Sequence, residues 1–302
     1  RGEGAEAGDG QGFRLNVVNA LWAQQGYSLL PGFLDLLAEN YGAGLRQLDF
    51  ASAADASRRT INDWVRDQTE GRIEELLSRD AVDSATRLVL TNAIYFSAAW
   101  SQPFDGPFTE GGTFHLLDGR TVTVPMMSEQ SWRYCAVGDG YQVVVMPYDG
   151  HELSMVILVP DLANFTGFED SLDAERFDAI LAELEWRLVA LTMPKFELES
   201  SFQLKSVLSR MGMPAAFSMS EADLSGITGQ RALFISEVFH KTFVSVDEAG
   251  TEAAAATGFP IPPGWPKEGP VEITVDRPFL FLIRDIGTGT ILFMGRVVHP
   301  GG

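Results

Sequence analysis

Residues that build disulfides and metal sites are scarce in this sequence. One cysteine, Cys135, and four histidines are present among 302 residues. A single cysteine excludes an intramolecular disulfide and a multi-cysteine metal site. None of the histidines is paired with another at metal-ligand spacing, so we expect no bound metal.

Positive charge is also scarce. The sequence has 22 Lys and Arg against 41 Asp and Glu, a net charge of −19. A chain this acidic argues against nucleic acid, heparin-like polyanions or an anionic membrane surface as general partners. No apolar run approaches the roughly 18 residues that a membrane-spanning helix needs. We therefore expect neither a nucleic-acid nor a membrane partner.

The beginning of the sequence is polar and rich in glycine. It opens at Arg1 without a methionine, and residues 1–10 contain four glycines. This pattern indicates a loop or frayed segment cut from a longer chain, with targeting information upstream. The composition of the whole sequence, 45% hydrophobic and 21% charged, is typical of a globular protein with a sizeable core.

Hydrophobic periodicity predicts helices and strands mixed along one chain. Apolar and β-branched runs indicate strands at 13–25, 87–100, 187–197, 233–247, 271–283 and 290–298. Helical spacing indicates helices at 30–48, 52–78, 169–185 and 203–211. Asp118-Gly119 and Asp149-Gly150, each between apolar runs, predict two β-hairpins. Together these patterns predict an α+β fold with many antiparallel strands and no linker between domains.

Motifs of catalysis are missing. There is no G-x-S-x-G nucleophile elbow, no Walker A loop and no dinucleotide fingerprint. The many carboxylates show no spacing that marks a catalytic pair. The sequence therefore predicts a protein that is not an enzyme.

The most unusual segment runs from Val246 to Glu272. Its first half contains four consecutive alanines, Ala253 to Ala256, and its second half has five prolines in residues 258–270. The prolines forbid a helix or a central strand, so that half is expected to be exposed and extended. For residues 247–257, composition favours an Ala-rich helix. The alternative is a stretch that becomes a strand, because small side chains fit between existing strands.

This segment resembles the reactive-loop hinge of an inhibitory serpin, and the resemblance extends over residues 13–300. The supporting motifs, in chain order, are Ile61-Asn62 with Trp64-Val65, Thr91-Asn92-Ala93-Ile94-Tyr95-Phe96, Val124-Pro125-Met126-Met127, Met193-Pro194-Lys195-Phe196, Ala222-Asp223-Leu224-Ser225-Gly226, Arg277-Pro278-Phe279-Leu280-Phe281 and Phe293-Met294-Gly295-Arg296-Val297.

The resemblance implies a serpin fold: a large central sheet, smaller sheets, packed helices and an exposed reactive loop at about 247–270. It implies one domain over residues 1–302 that lacks roughly 60 residues, among them the family's N-terminal helices. The Ala- and Gly-rich composition is typical of a bacterial member.

The resemblance also implies a function, suicide-substrate inhibition of serine proteases. The protease would cleave the loop, an acyl-enzyme would form, and insertion of the loop into the central sheet of the metastable protein would trap the protease covalently. The partner would be a trypsin-like or subtilisin-like enzyme, the inhibitor a monomer without cofactor or metal, and the compartment extracellular or periplasmic, with cytoplasmic still possible. The alternative is a non-inhibitory serpin-fold binding module or a plain protease substrate.

Three groups of site residues follow from the resemblance. The hinge comprises Glu248, Gly250, Thr251, Glu252, Ala253, Ala254, Ala255, Ala256 and Thr257. Thr251 would be the first side chain to enter the sheet, where a charge is costly to bury. Trp100, Lys195 and Glu248 would form the cluster at loop entry, and Asn92 and His240 a hydrogen-bonded pair that rearranges when the sheet opens.

The scissile bond is left open between two candidates, because the loop is about three residues longer than the family's pattern. Counting forward from Glu248 leads to Gly264-Trp265, and counting back from Arg277-Pro278 leads to Lys267-Glu268. Serine proteases generally do not cut before proline, which removes the neighbouring bonds. Lys267-Glu268 is preferred, since a lysine suits a trypsin-like pocket.

Overall fold

The computed structural model describes residues 2–3, 13–41, 45–251 and 269–301. The predicted hinge residues Glu252 to Thr257, with Ala253, Ala254, Ala255 and Ala256 between them, lie outside the described residues. The same holds for the scissile candidates Gly264, Trp265, Lys267 and Glu268.

Six α-helices and fifteen strands occur in the described part of the chain. The helices are α1 Pro31–Tyr41, α2 Phe50–Gln68, α3 Phe165–Asp170, α4 Ala174–Ala182, α5 Lys205–Arg210 and α6 Ser225–Thr228. The strands are β1 Gly2–Glu3, β2 Arg14–Gln24, β3 Leu45–Leu48, β4 Leu88–Ala99, β5 Glu110–His115, β6 Thr121–Gly138, β7 Tyr141–Pro147, β8 Leu153–Pro160, β9 Glu185–Pro194, β10 Phe196–Gln203, β11 Glu237–Val246, β12 Gly250–Thr251, β13 Val271–Thr274, β14 Phe279–Asp285 and β15 Ile291–Val297.

Strands predicted from β-branched and aromatic runs are confirmed at β2, β4 and β15, and both Asp-Gly hairpins form. Gly119 and Gly150 have φ of 84° and 79°, conformations that residues with a side chain rarely adopt. The hairpins are β5–β6 and β7–β8, each paired antiparallel. The predicted α+β class is confirmed.

Two predicted helices are too long. The helix expected at 30–48 ends at Tyr41, and Leu45–Leu48 forms strand β3 parallel to β2. The helix expected at 52–78 ends at Gln68, where the amide of Gly71, with φ of 81°, donates to the carbonyl of Arg66. Apolar spacing continues past both ends because those side chains are half-buried in extended backbone after the first helix and buried in irregular backbone after the second.

Two further predictions merge elements that are separate. The helix expected at 169–185 is two helices, α3 and α4, and Asp173 caps the second by accepting a hydrogen bond from the amide of Arg176. The strand expected at 271–283 is β13 and β14, which pair with different neighbours, β9 and β8. Pro278 lies between them and has no amide hydrogen for a ladder.

Contacts divide the chain into two compact units. The first comprises residues 15–95 and 199–243, and its strands follow the order β2-β4-β11-β10 with β3 beside β2. Helix α2 packs on this sheet through a core whose members include Trp22, Ile61, Val65, Val89 and Phe239. In this unit β4 and β11 are parallel, in register from Val89–Glu237 to Tyr95–Phe243.

The second unit comprises residues 2–14, 96–198 and 244–302. Its described residues form an eight-stranded sheet in the order β13-β9-β6-β7-β8-β14-β15, with β5 beside β6. Every residue of β8 is buried, which explains why its sequence is apolar except for Ser154. The single domain expected from the sequence stays a prediction.

No helix in the described residues has the length and apolar character needed to cross a membrane. The same residues contain no group of three or more His, Cys, Asp or Glu side chains arranged to hold a metal ion.

A buried amide organises the irregular connection between α2 and β4. The side chain of Asn62 donates to the carbonyl of Leu77 at 2.9 Å and accepts from the amides of Leu76 at 3.1 Å and Leu77 at 2.8 Å. Backbone groups in a buried connection need such partners, since water does not reach them.

We expect Asn62→Ala to lower the free energy of unfolding by about 2–3 kcal/mol, because the buried amides of Leu76 and Leu77 lose their acceptor, while the carbonyl of Leu77 keeps its hydrogen bond from Arg58. Urea unfolding at neutral pH measures the loss. The matched control is Asn40→Ala, which removes one exposed hydrogen bond to the carbonyl of Leu36 and should cost no more than about 0.5 kcal/mol. Equal losses in the two variants would contradict the proposed role of Asn62.

Candidate functional site

The C-terminal end of β4 is paired with two residues of the predicted hinge, Gly250 and Thr251. Strand β12 runs antiparallel to β4, with Gly250 opposite Ala99 and Thr251 opposite Ala98. Gly250 has φ of 145°, and a Cβ at this position would lie 2.3 Å from the carbonyl oxygen of Ala98. Only glycine therefore allows this close approach of the two backbones.

A tight turn brings the chain from β11 into β12. The carboxylate of Asp247 accepts hydrogen bonds from the amides of Ala249 at 2.9 Å and Gly250 at 3.2 Å. The amide of Asp247 donates to the carbonyl of Gly250 at 2.9 Å. An aspartate that bonds to the following backbone stabilises a turn of this kind. Asp247 therefore sets the direction in which the hinge begins.

Glu248, at the tip of this turn, has both carboxylate oxygens occupied. Lys195 Nζ lies 2.7 Å from Oε2, and the Thr109 hydroxyl donates to Oε1 at 2.7 Å. The backbone carbonyl of Glu248 also accepts from the amide of Phe104 at 2.8 Å. The structure thus brings the predicted pair Lys195 and Glu248 together, with the side chain of Glu248 only 22% exposed.

The electrostatics of Glu248 favour its ionised form. Burial by itself would raise the pKa of this carboxyl, but the hydrogen bonds from Lys195 and Thr109, with the charge of Lys195, outweigh burial and hold the pKa below its usual value. An ionised carboxylate accepts stronger hydrogen bonds than a neutral carboxyl, so ionised Glu248 holds the turn more firmly.

Trp100, the residue after β4, also stabilises this turn. Its indole Nε1 donates to the carbonyl of Asp247 at 3.1 Å, and its amide donates to the carbonyl of Ala249 at 3.0 Å. The ring is buried and stacks on Tyr148, with centroids 4.6 Å apart and planes 11° apart. Trp100 therefore holds the turn by hydrogen bonds on one side and by packing on the other.

Sequence reasoning assigned no site role to three residues of this cluster. Asp247 was recognisable, because an aspartate three residues before a glycine is a common turn pattern. Thr109 and Tyr148 carried no such signal, since their contacts join positions far apart in the chain.

We expect Glu248→Gln to lower the free energy of unfolding by about 1 kcal/mol at pH 7, because the ion pair with Lys195 is lost. The pKa of Glu248 is lowered in the folded state, so its contribution is complete above the unfolded value of 4.5 and is lost as the pH falls through the folded value. The difference from the parent protein should therefore shrink at acid pH.

Urea unfolding measured between pH 7.5 and pH 3 tests this expectation. Glu221→Gln, a change at an exposed carboxylate, is the matched control and should have little effect at any pH. A difference between parent and Glu248→Gln that stays constant down to pH 3 would show that the ion pair is not its source.

The second predicted pair, Asn92 and His240, lies in the middle of the first unit's sheet. The two residues are opposite each other on β4 and β11, and His240 Nδ1 is 2.5 Å from Asn92 Oδ1. Asn92 Nδ2 donates to Asn19 Oδ1 at 2.6 Å, so its oxygen faces the histidine and Nδ1 carries the proton. Burial lowers the pKa of His240, which favours the neutral imidazole.

The structure extends this pair into a row across four strands. Phe202 on β10 stacks over His240, with ring centroids 6.0 Å apart and planes 21° apart. The row Phe202, His240, Asn92 and Asn19 therefore covers β10, β11, β4 and β2 in order. Separation of β4 from β11 would break the central hydrogen bond of this row. Sequence reasoning found only its two middle members.

A buried lysine next to His240 was also missed. Lys241 is 6% exposed, donates to the carbonyl of Glu75 at 2.7 Å and pairs with Glu199 at 2.6 Å. Glu75 belongs to the irregular connection between α2 and β4. Lys241 therefore ties that connection to β11, and removing one partner would leave a buried charge uncompensated.

The site described above, a short strand paired with β4 after a turn held by Glu248 and Trp100, lies in a chain that matches a known protein family. The family described as serpin (serine protease inhibitor) matches residues 4–300. The chain belongs to the serpin family.

Relatives of this chain are spread over distant organisms. Leukocyte elastase inhibitor A of Mus musculus is 42% identical over 307 residues, which cover 96% of this chain and 79% of the relative. An uncharacterized serpin-like protein of Thermococcus kodakarensis is 41% identical over 294 residues, covering 97% of this chain and 68% of the relative. The solved structure of thyroxine-binding globulin with thyroxine is similar with a TM-score of 0.86 at 30% identity, covering 96% of this chain and 77% of that chain.

Proposed function

We propose that this protein is a suicide-substrate inhibitor of serine proteases that works by inserting its reactive loop into the sheet beside β4. The observation that carries the proposal is the antiparallel pairing of Gly250 and Thr251 with Ala99 and Ala98. The name of the mouse relative, an elastase inhibitor, supports the same function.

The pairing defines a register for the rest of the hinge. Continued without a shift, it would bring Ala254 opposite Tyr95 and Thr257 opposite Asn92. From Tyr95 downward β4 is already paired with β11, so the entering strand would replace those hydrogen bonds. It would run antiparallel to both neighbours, and antiparallel pairing is slightly more stable per residue than the parallel pairing it replaces.

The hinge composition suits this movement. Ala253 to Ala256 present only methyl groups, so they would pass between strands with little steric cost, and Thr257 has high β propensity. When Thr257 arrives opposite Asn92, the hydrogen bond from His240 to Asn92 would have to be exchanged. The Asn92–His240 pair would thus oppose insertion until the strands part.

The chemistry would be supplied by the protease. Its serine oxygen attacks the carbonyl carbon of the scissile residue, the peptide bond breaks, and the new amine leaves with the C-terminal fragment. An ester then joins loop and protease, and water would normally hydrolyse it. Insertion that is faster than hydrolysis leaves the ester intact, so the inhibitor needs no catalytic group, metal or cofactor of its own.

We propose Lys267-Glu268 as the scissile bond, with Gly264-Trp265 as the alternative. A trypsin-like or subtilisin-like enzyme is the corresponding partner, and the inhibitor acts as a monomer. The additional loop length would leave the trapped protease less compressed against the inhibitor. This favours hydrolysis of the ester and a stoichiometry above one inhibitor per protease. Action outside the cytoplasm is part of the same proposal.

Mixing the protein with trypsin, chymotrypsin and subtilisin tests this function directly. A denaturing gel should show a boiling-resistant band at the summed mass, and the mass of the released peptide identifies the bond. Complete cleavage without such a band would show that the protein is a plain substrate and not an inhibitor.

A binding module is the second candidate function. It is supported by the thyroxine complex of a structural relative, and resistance of the loop to all three enzymes would favour it.

We expect Thr251→Arg to convert the inhibitor into a substrate, because a charge at the position entering the sheet is costly to bury. Covalent complex with trypsin should fall at least about tenfold while loop cleavage continues, a loss of about 1.4 kcal/mol or more in the partition between trapping and release. In an inserted strand, alternation would turn the side chain of Glu252 to the opposite face, so Glu252→Arg is the matched control and should still trap. Normal trapping by Thr251→Arg would contradict insertion.

We expect Lys267→Ala to abolish the reaction with trypsin, since the variant lacks the charge that a trypsin-like pocket binds. Gel analysis and peptide mass measure the outcome, with Gly264→Ala as the control that should react normally. Undiminished trapping of trypsin by Lys267→Ala would remove Lys267 from the scissile role.

A further inference from the structure

A cleft of about 270 Å³ opens in the first unit, beside the N-terminal ends of β4 and β11. Its lining includes Val89 of β4 and Phe239 of β11, which both belong to the core between α2 and the sheet. The connection that precedes β4, between Asp80 and Thr86, and the junction of β10 with α5 complete the lining. Sites for drug-sized ligands measure roughly 300–1,000 Å³, so this cleft suits a compact ligand.

Part of the lining is apolar. Phe234 lies half-buried in the cleft, whereas its neighbours Leu233 and Ile235 are 2% and 8% exposed. Together with Val89 and Phe239, the ring of Phe234 offers apolar surface to a ligand. Covering such surface is favourable, because it removes apolar area from water.

Among the described residues that line the cleft, Lys205 is the only cation. Its backbone is fixed, because its amide donates to Oε1 of Glu237 at 3.0 Å. Its ammonium donates one long hydrogen bond, 3.4 Å to the carbonyl of Ser236, and the described residues give it no ion pair. A lysine ammonium has three donors, so two of them remain for a ligand. A carboxylate is the acceptor that binds such donors most strongly.

Three carboxylates also line the cleft, and two of them have free oxygens. Glu237 is occupied, since one of its oxygens accepts from two backbone amides at 3.0 and 2.9 Å. Asp83 uses Oδ1 to accept from the amide of Ala85 at 2.9 Å and from the hydroxyl of Thr86 at 3.2 Å. Its Oδ2 and the exposed carboxylate of Asp80 have no cationic partner among the described residues.

The two signs of charge in the cleft restrict the ligand. A simple anion would pair with Lys205 but would be repelled by Asp80 and Asp83. A simple cation would meet the reverse arrangement, and like charges placed together are costly. A compact ligand that carries one group of each sign satisfies both sides.

We propose that this cleft binds a free α-amino acid with an apolar side chain of about the size of leucine. The carboxylate of the ligand would pair with the ammonium of Lys205, and its ammonium group would pair with Asp80 and Asp83. Its side chain would lie against Phe234 and Val89. Binding at this site needs neither a protease nor insertion of the reactive loop.

Calorimetric titration of the whole protein with L-leucine at pH 7 tests the proposal. We expect a Kd below about 1 mM. The melting temperature should rise as the leucine concentration exceeds this Kd, because a ligand that binds only the folded state stabilises it.

Two analogues of leucine separate the contributions of its charges. Isoamylamine lacks the carboxylate, and isocaproate lacks the ammonium group. Each should bind at least about tenfold more weakly than leucine, because a hydrogen bond between charged groups is lost. Equally tight binding of either analogue would overturn the proposal, as would the absence of leucine binding up to about 10 mM.

The variant Lys205→Met tests the cation of the site. It removes the ammonium and keeps the backbone amide that donates to Glu237, so the fold should be retained. Leucine binding should weaken at least about tenfold. Arg210→Met, at an exposed cation of the same helix, is the matched control and should bind leucine as the parent does.

The double substitution Asp80→Asn with Asp83→Asn tests the carboxylates. An asparagine at position 83 keeps an oxygen for the turn, and leucine binding should again weaken at least about tenfold. The control is Glu175→Gln with Asp178→Asn, which removes the same charge from exposed positions of α4. Unchanged leucine binding in either test variant, or an equal loss in its control, would contradict the assignment of this site.

Discussion

The pairing of Gly250 and Thr251 with the end of β4 is the contact on which the rest of this site depends. It needs a residue without Cβ at position 250, because the carbonyl of Ala98 comes within 2.3 Å of any Cβ there. It also needs the preceding turn to be held in place, and Asp247, Lys195 and Trp100 hold it by hydrogen bonds and an ion pair. Gly250 and Thr251 are therefore held in a defined register beside β4.

Strand β4 links this entry point to the groups that would resist insertion. Trp100 directly follows its last residue, and Asn92 lies further down the strand, hydrogen-bonded to His240 on the neighbouring β11. Lys241, one residue beyond His240, ties β11 to the connection that precedes β4. Under the proposed mechanism, a strand that enters beside β4 would meet the contacts of Lys241, opposite Ala93, and then those of His240, opposite Asn92.

Local patterns predicted elements well where burial and backbone agreed. The run Leu88–Ala99 is rich in β-branched and aromatic residues and forms β4, and both Asp-Gly pairs form hairpins. The patterns failed where apolar residues are buried without regular backbone. Ile73, Leu76 and Leu77 keep helical spacing, yet they lie in a connection held by the side chain of Asn62. The pattern of buried residues alone does not determine whether their backbone is helical, extended or irregular.

By itself the sequence determined the α+β class, the family resemblance and the residue types of the hinge, because these depend on composition and on motifs within a few positions. The tertiary structure decided which distant residues meet. Thr109 and Lys195 reach Glu248 from other parts of the chain, and Phe202 reaches His240 from another strand. Pairings of this kind arise from long-range packing, and no local pattern encodes them.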